Sequence, residues 1–240
     1  MASTSETGHA KNLGNFNTLI AAAEGMNTAY VPSNTTLKIA NLRTQEAAAK
    51  ALNIEVKDAK TNWATAVNSR EAEFEDLKPL ATRVVNAFEA ALPNNQAAIA
   101  DLRALNRKLQ GSKKKKPAAD PTPESISTSQ QSYDQQADHF RDLISFLKAH
   151  PAYAPNEEKL RVGHLEEMLT RMEEIGQAVA PTETAYKNAL TARNKAFYEP
   201  VTGLVDTAKA VKKYVKSVYN ATAPEYKVFS KIPFRNVKDR

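Results

Sequence analysis

Two segments of the chain, 123 positions apart, have closely similar sequences. One reads "TAYVPSNTTLKIANL" from Thr28, and the other reads "PAYAPNEEKLRVGHL" from Pro151. When Tyr30 is aligned with Tyr153, matching residues continue at the same spacing as far as Phe74 and Phe197. An ordered series of aromatic, proline and Arg-x-x-x-Phe matches over this length indicates a tandem duplication, and it constrains the fold more than any other feature.

Each copy is predicted to form three helices. In the first copy, a short helix covers about 13–25, a Tyr-x-Pro turn follows, and a long helix then ends near Asp76. The proline marks the turn because the residue before a proline disfavours the helical conformation. A third helix is expected at about 80–92 in the first copy and at 201–219 in the second. The first copy adds a fourth helix near 95–109.

The long helices have apolar residues at steps of three, four and seven, from Leu42 to Phe74 and from Leu165 to Phe197. This spacing is typical of a coiled-coil seam. Pro181 is expected to kink or interrupt the second long helix, because proline removes a backbone donor and its ring clashes with the preceding turn. The predicted fold is an all-α, elongated helical bundle in which the two long helices pack along each other. The alternative is two separate three-helix bundles.

The same patterns divide the chain into five segments. Residues 112–128 are rich in lysine, proline and small polar residues, a composition that cannot bury a core. The predicted organisation is a disordered N-terminal tail at 1–12, a first helical repeat at 13–110, a Lys/Pro-rich linker at 111–131, a second helical repeat at 132–220 and a basic C-terminal tail at 221–240.

Six seam residues occupy equivalent positions in the two copies, and we interpret them as structural. They are Trp63, Tyr186, Arg70, Arg193, Phe74 and Phe197. The two arginines precede a phenylalanine by four positions, so their stems can pack in the seam while the guanidinium groups pair with an acceptor. The functional alternative for the arginines is a paired anion site. For the tryptophan and tyrosine, it is ligand stacking.

Positive charge is concentrated towards the end of each copy. Residues 103–116 contain seven basic residues and no acid, and residues 207–240 contain nine against two acids. The residues that would contact an anion or nucleic acid are Arg103, Arg107, Lys108, Lys113, Lys114, Lys115, Lys116, Lys209, Lys212, Lys213, Lys216, Lys231 and Arg235. Lysines next to aromatic residues can follow a phosphate backbone and stack on bases. Solubilisation, or attraction to an acidic protein, a neighbouring copy or an anionic membrane surface, explains the same pattern.

Several classes of chemistry lack their sequence signals. The chain has no cysteine, which excludes disulfides, thiolate catalysis and Cys-ligated metals. Neither phosphate-binding glycine motif and no Gly-x-Ser-x-Gly elbow occurs. His164 and Glu167 have a helical spacing that can ligate a metal, but one such pair is more typical of a solvated helix face. We therefore expect no catalytic residue, no metal and no cofactor, and no small-molecule substrate is evident.

Together, these features predict a non-enzymatic helical structural or interaction protein, either a scaffold or a self-assembling spacer. The expected partner is another protein or a second copy of the chain. A sequence-nonspecific nucleic-acid-binding protein using 103–116 and 207–240 is the alternative, and an enzyme or carrier with a site between the long helices is a third. No apolar run is long enough to span a membrane and no export signal is visible, so a cytoplasmic location is expected.

Overall fold

The computed structural model describes residues 8–111 and 131–236. Within this part of the chain all regular structure is helical, which confirms the predicted fold class. The eight α-helices are α1 (His9–Gly25), α2 (Ile39–Glu75), α3 (Leu77–Ala91), α4 (Gln96–Gln110), α5 (Tyr133–Lys148), α6 (Val162–Tyr198), α7 (Leu204–Tyr219) and α8 (Pro224–Ser230). Three short 3₁₀ turns lie at Asn27–Ala29, Thr35–Leu37 and Glu158–Leu160. None of the described helices combines the length and apolarity that crossing a membrane requires.

Local chemistry explains where several helices begin. The Ser132 hydroxyl accepts a hydrogen bond from the Gln135 amide at 3.3 Å at the start of α5, and Asn95 caps α4 in the same way. Both side chains satisfy amides that have no partner inside the helix. Helix α3 begins three residues earlier than predicted, because Pro79 lies in its first turn, where the missing N–H costs nothing.

The described residues fall into two compact units, each with its own core. The first unit contains the described parts of 1–62 and 183–240, and the second contains those of 63–182. The first unit therefore includes the beginning of α2 and the end of α6, whereas the second includes the end of α2 and the beginning of α6. This division does not follow the predicted repeat boundaries, which remain a prediction.

The core of the first unit is built on α1, α7 and the adjoining parts of the long helices. Its fully buried side chains include Phe16, Leu19, Ile20, Leu42, Phe197, Leu204, Val211 and Val215. The core of the second unit is built in the same way on α5, α3 and α4. It includes Leu77, Val84, Phe88, Leu102, Leu109, Phe140, Leu143 and Leu165. Large apolar side chains at helical spacing thus give each unit a continuous apolar interior.

The predicted seam is buried at its ends and more open in the middle. Leu42 and Phe74 are buried, and both belong to unit cores. Trp63 and Tyr186 are only partly buried. A coiled-coil seam would bury its contact positions evenly.

Three regions differ from the sequence prediction. Helix α1 begins at His9, and Asn12 is only 3% exposed, so 8–12 belong to the fold rather than to the predicted tail. Part of the predicted basic tail forms α8 and contributes buried Phe229 to the first core. Helix α6 continues through Pro181, so the predicted interruption is wrong, whereas the kink remains a prediction. The Thr182 hydroxyl donates to the Val179 carbonyl at 2.7 Å beside this proline.

Candidate interaction surfaces

Each unit presents one exposed turn that a buried tyrosine holds in place. The Tyr30 hydroxyl donates to the Leu37 carbonyl at 2.8 Å, and the Tyr153 hydroxyl donates to the Leu160 carbonyl at 2.9 Å. Both tyrosines are buried, and burial raises the pKa of each to about 12. We name residues 30–37 the first clamped turn and residues 153–160 the second clamped turn.

The two clamped turns share a frame but present different chemistry. In the first, residues 33–36 are exposed serine, asparagine and threonine, and Val31 is 72% exposed. In the second, Glu157, Glu158 and Lys159 are exposed. The same backbone arrangement therefore displays a neutral surface in one unit and a charged surface in the other.

The predicted basic residues of α7 do not form one uniform surface. Lys213 and Lys216 are exposed. Lys212, by contrast, is covered by the segment after α8: its ammonium donates to the Ile232 carbonyl and lies 5.3 Å from the centre of the Phe234 ring. Burial lowers the pKa of Lys212 below its ordinary value. Lys212 thus anchors the C-terminal segment rather than extending the basic surface.

Lys209 is paired within its own helix. Its ammonium lies 2.8 Å from a carboxylate oxygen of Asp206. This hydrogen bond, together with one from the Val201 amide, lowers the pKa of Asp206. Of the predicted α7 lysines, Lys213 and Lys216 are the two best placed to meet a partner.

The C-terminal segment is also tied to α1. The Asn12 side-chain amide donates to the Arg235 carbonyl at 2.7 Å and accepts from the Arg235 amide at 3.2 Å. Lys231 and Arg235 remain exposed, so both can contribute positive charge to the surface of the first unit.

The basic residues of α4 lie in the second unit. Arg103 forms two hydrogen bonds to the Glu89 carboxylate at 2.6 and 2.7 Å, and this pairing lowers the pKa of Glu89. Arg107 and Lys108 are exposed in the last turn of the helix. Lys113, Lys114, Lys115 and Lys116 lie outside the described residues.

The division into units separates charge more clearly than the linear sequence does. Residues 1–62 and 183–240 contain 18 Lys and Arg against 10 Asp and Glu, a net charge of +8. Residues 63–182 contain 15 against 17, a net charge of −2. If 112–130 are left out, the second unit has 11 against 15, a net charge of −4. One unit is therefore strongly basic and the other is acidic.

The two seam arginines contact aromatic or amide groups of their own units. The Arg70 guanidinium lies 4.3 Å from the centre of the Tyr133 ring, while its Nε atom is buried without a hydrogen-bond partner. Arg193 is 9% exposed and donates to the Asn194 side-chain oxygen at 3.0 and 3.2 Å. These contacts agree with a packing role, and the structure does not bring the arginines together as a paired anion site within either unit.

The second unit contains a charged cleft that the sequence patterns did not predict. Its volume is about 280 Å³. Its lining includes Glu73, Asp76, Arg83, Lys159, His164 and Arg171, above an apolar floor of Leu80 and Met168. His164 was noticed in the sequence only through its spacing to Glu167. The other charged residues gave no signal, because a linear pattern does not show which charges lack an ion-pair partner.

The described residues contain no cluster of three or more metal-binding side chains. Compared with known proteins, the chain matches no protein-family model, no curated protein and no solved structure.

Proposed function

We propose that this chain is a non-enzymatic helical interaction protein that associates with further copies of itself. The contact between copies would join the basic first unit of one chain to the acidic second unit of another. The observation that supports this proposal is the opposite net charge of the two units, +8 against −2. A contact between two different surfaces is heterologous, so association continues until it closes into a ring or extends as a filament.

A tandem duplication explains why one chain would have two such units. Helices α2 and α6 are each 37 residues long and begin 123 positions apart. The tyrosine clamps occur at the same spacing. In this interpretation both copies keep the frame and have diverged in surface charge, and the long helices act as coiled-coil-like spacers.

The surface residues give the contact a specific form. Exposed Lys213 and Lys216 on α7 supply positive charge in the first unit. Exposed Glu157 and Glu158 of the second clamped turn supply negative charge in the second unit. Complementary charge of this kind directs association and makes it sensitive to salt.

Sedimentation equilibrium at about 20 and about 300 mM salt tests the proposal. At low salt we expect an average mass above the 26.4 kDa monomer that rises with protein concentration, and at high salt we expect a shift towards monomer. The double variant Lys213→Glu/Lys216→Glu should dissociate. Adding Glu157→Lys/Glu158→Lys in the same chain should restore association. A monomer at every concentration and both salts contradicts the proposal.

Nucleic-acid binding is the second candidate, and the net charge of +8 on the first unit favours it. Binding through phosphates weakens steeply as salt increases. Fluorescence anisotropy with short random DNA and RNA, from about 50 to about 300 mM salt, tests this candidate. Loss of binding in the Lys213→Glu/Lys216→Glu variant, with no recovery in the four-residue variant, would favour nucleic acid over self-association.

A further inference from the structure

The charged cleft of the second unit lies between two ridges of side chains. One ridge comes from the end of α2 and the start of α3, where Asp76, Leu80 and Arg83 follow at helical spacing on one side. The other comes from α6, where His164, Met168 and Arg171 are likewise three or four positions apart. A hydrogen bond from Arg171 to Glu73 at 3.2 Å joins the two ridges at one end.

The opposite end of the cleft is basic. The 3₁₀ turn that contains Lys159 packs against α3, which places Lys159 and Arg83 together at this end beside His164. At the other end the Arg171 charge is balanced by Glu73, so Asp76 adds a net negative charge. Leu80 and Met168, which are 8% and 7% exposed, form an apolar surface between the ends.

The charged groups at both ends lack internal partners. Within the described residues, Asp76, Arg83 and Lys159 form no ion pair and no side-chain hydrogen bond. By contrast, the arginines at other exposed sites are paired: Arg43 with Glu24 and Glu46, Arg103 with Glu89, and Arg141 with Asp138 and Glu173. A cleft that gathers the unpaired charges of a unit is a place where a ligand of complementary charge gains interactions that the protein itself does not supply.

The equivalent position in the first unit is closed. At 123 positions before Met168 the chain has Gln45, whose side chain donates to the Thr202 carbonyl at 2.9 Å. The positions equivalent to Lys159 and His164 hold Thr36 and Asn41, and Asn41 donates to the Thr35 carbonyl. The charged cleft is therefore particular to the second unit rather than a general consequence of its helical frame.

We propose that this cleft binds a small linear zwitterion whose carboxylate and ammonium are separated by an apolar chain. The carboxylate is held by Arg83 and Lys159, the chain lies on Leu80 and Met168, and the ammonium is held by Asp76. The spacing of the ends supports a linear ligand, because Asp76 and Arg83 are seven residues apart, about 10 Å along a helix. The proposal does not depend on self-association of the protein.

Isothermal titration calorimetry with 6-aminohexanoate, on the full chain, tests this site. Hexanoate and hexylamine, each lacking one charge, are the matched probes. We expect 6-aminohexanoate to bind with an affinity in the range of about 0.1 to 10 mM and each matched probe to bind at least about tenfold more weakly. Equal binding of hexanoate would overturn the role of Asp76, and no heat with 6-aminohexanoate at about 50 mM would overturn the site.

Two substitutions locate the binding. Arg83→Gln should weaken 6-aminohexanoate and hexanoate at least about tenfold, and Asp76→Asn should weaken 6-aminohexanoate and hexylamine. Arg107→Gln, an exposed basic position on α4, is the matched control and should leave all three affinities unchanged. Circular dichroism of each variant checks that it is folded. Undiminished binding in a folded Arg83→Gln variant would place the ligand elsewhere and refute the proposal.

Discussion

Replacing Tyr30 or Tyr153 by phenylalanine should destabilise one unit by about 1–2 kcal/mol. Each hydroxyl donates to a carbonyl seven residues later, at 2.8 and 2.9 Å, and the residues that provide these carbonyls, Leu37 and Leu160, are buried. Phenylalanine keeps the aromatic packing but leaves the carbonyl without a donor. The cost is therefore that of one buried unsatisfied acceptor, and the two costs should add because the residues lie in different units.

The same tyrosines predict a loss of stability in alkali. Burial raises the pKa of both to about 12, above the ordinary value of about 10. Because the folded state holds the proton more tightly than the unfolded state, this contribution is complete below pH 10. It is lost as the pH rises through about 12. A shift of this size corresponds to about 2–3 kcal/mol for each tyrosine.

Hydrogen exchange with mass spectrometry, together with urea unfolding at pH 8 and at about pH 11, measures both effects. Protection should fall around residues 35–42 in Tyr30→Phe and around 158–165 in Tyr153→Phe. Tyr219→Phe, a partly buried tyrosine of α7, is the control and should change stability by less than about 0.5 kcal/mol. If both clamp variants behave like this control, or if the double variant keeps the full alkaline loss, the hydroxyls do not hold the turns.

Three further substitutions probe backbone strain and the C-terminal anchor. Val201 has a φ of +69°, which is costly for a β-branched residue, so Val201→Gly should raise stability by about 0.5–1 kcal/mol in thermal unfolding; no gain would show that the turn is not strained. Pro181→Ala restores a helical N–H and should stabilise by about 1–3 kcal/mol, and a loss would mean that the chain requires the proline geometry. Lys212→Ala should cost about 1–2 kcal/mol and expose 231–235 to proteolysis, whereas exposed Lys213→Ala should change neither; equal effects would refute the anchor.

The sequence supported a close prediction of the helices because local signals determine where helices begin and end. The long helix predicted to end near Asp76 ends at Glu75, and the turn at Tyr30 is where the pattern places it. Helix α8 was missed because seven residues are too few for a periodic pattern. The available signal was Pro224 at its first position, where proline is favoured.

The surfaces were harder to predict because they depend on partners from distant parts of the chain. The lysine spacing on α7 showed which residues point away from the core, but not that the C-terminal segment covers Lys212. The charged cleft joins Asp76 and Arg83 to Lys159, and no local pattern connects these positions. The sequence likewise contained the charge of each unit, but the unit boundaries inside the long helices were needed before it could be counted.

The distribution of the two units along the chain has a consequence for folding. The second unit is one continuous stretch, 63–182, whereas the first joins 1–62 to 183–240. During synthesis, the second unit can therefore form while the apolar face of α1, with buried Phe16 and Leu19, still waits for α7. Contacts between such distant segments form slowly, so the first unit should complete folding last. In that interval, α7 of a neighbouring chain can take the vacant place, so newly made chains at high concentration are exposed to segment exchange between copies.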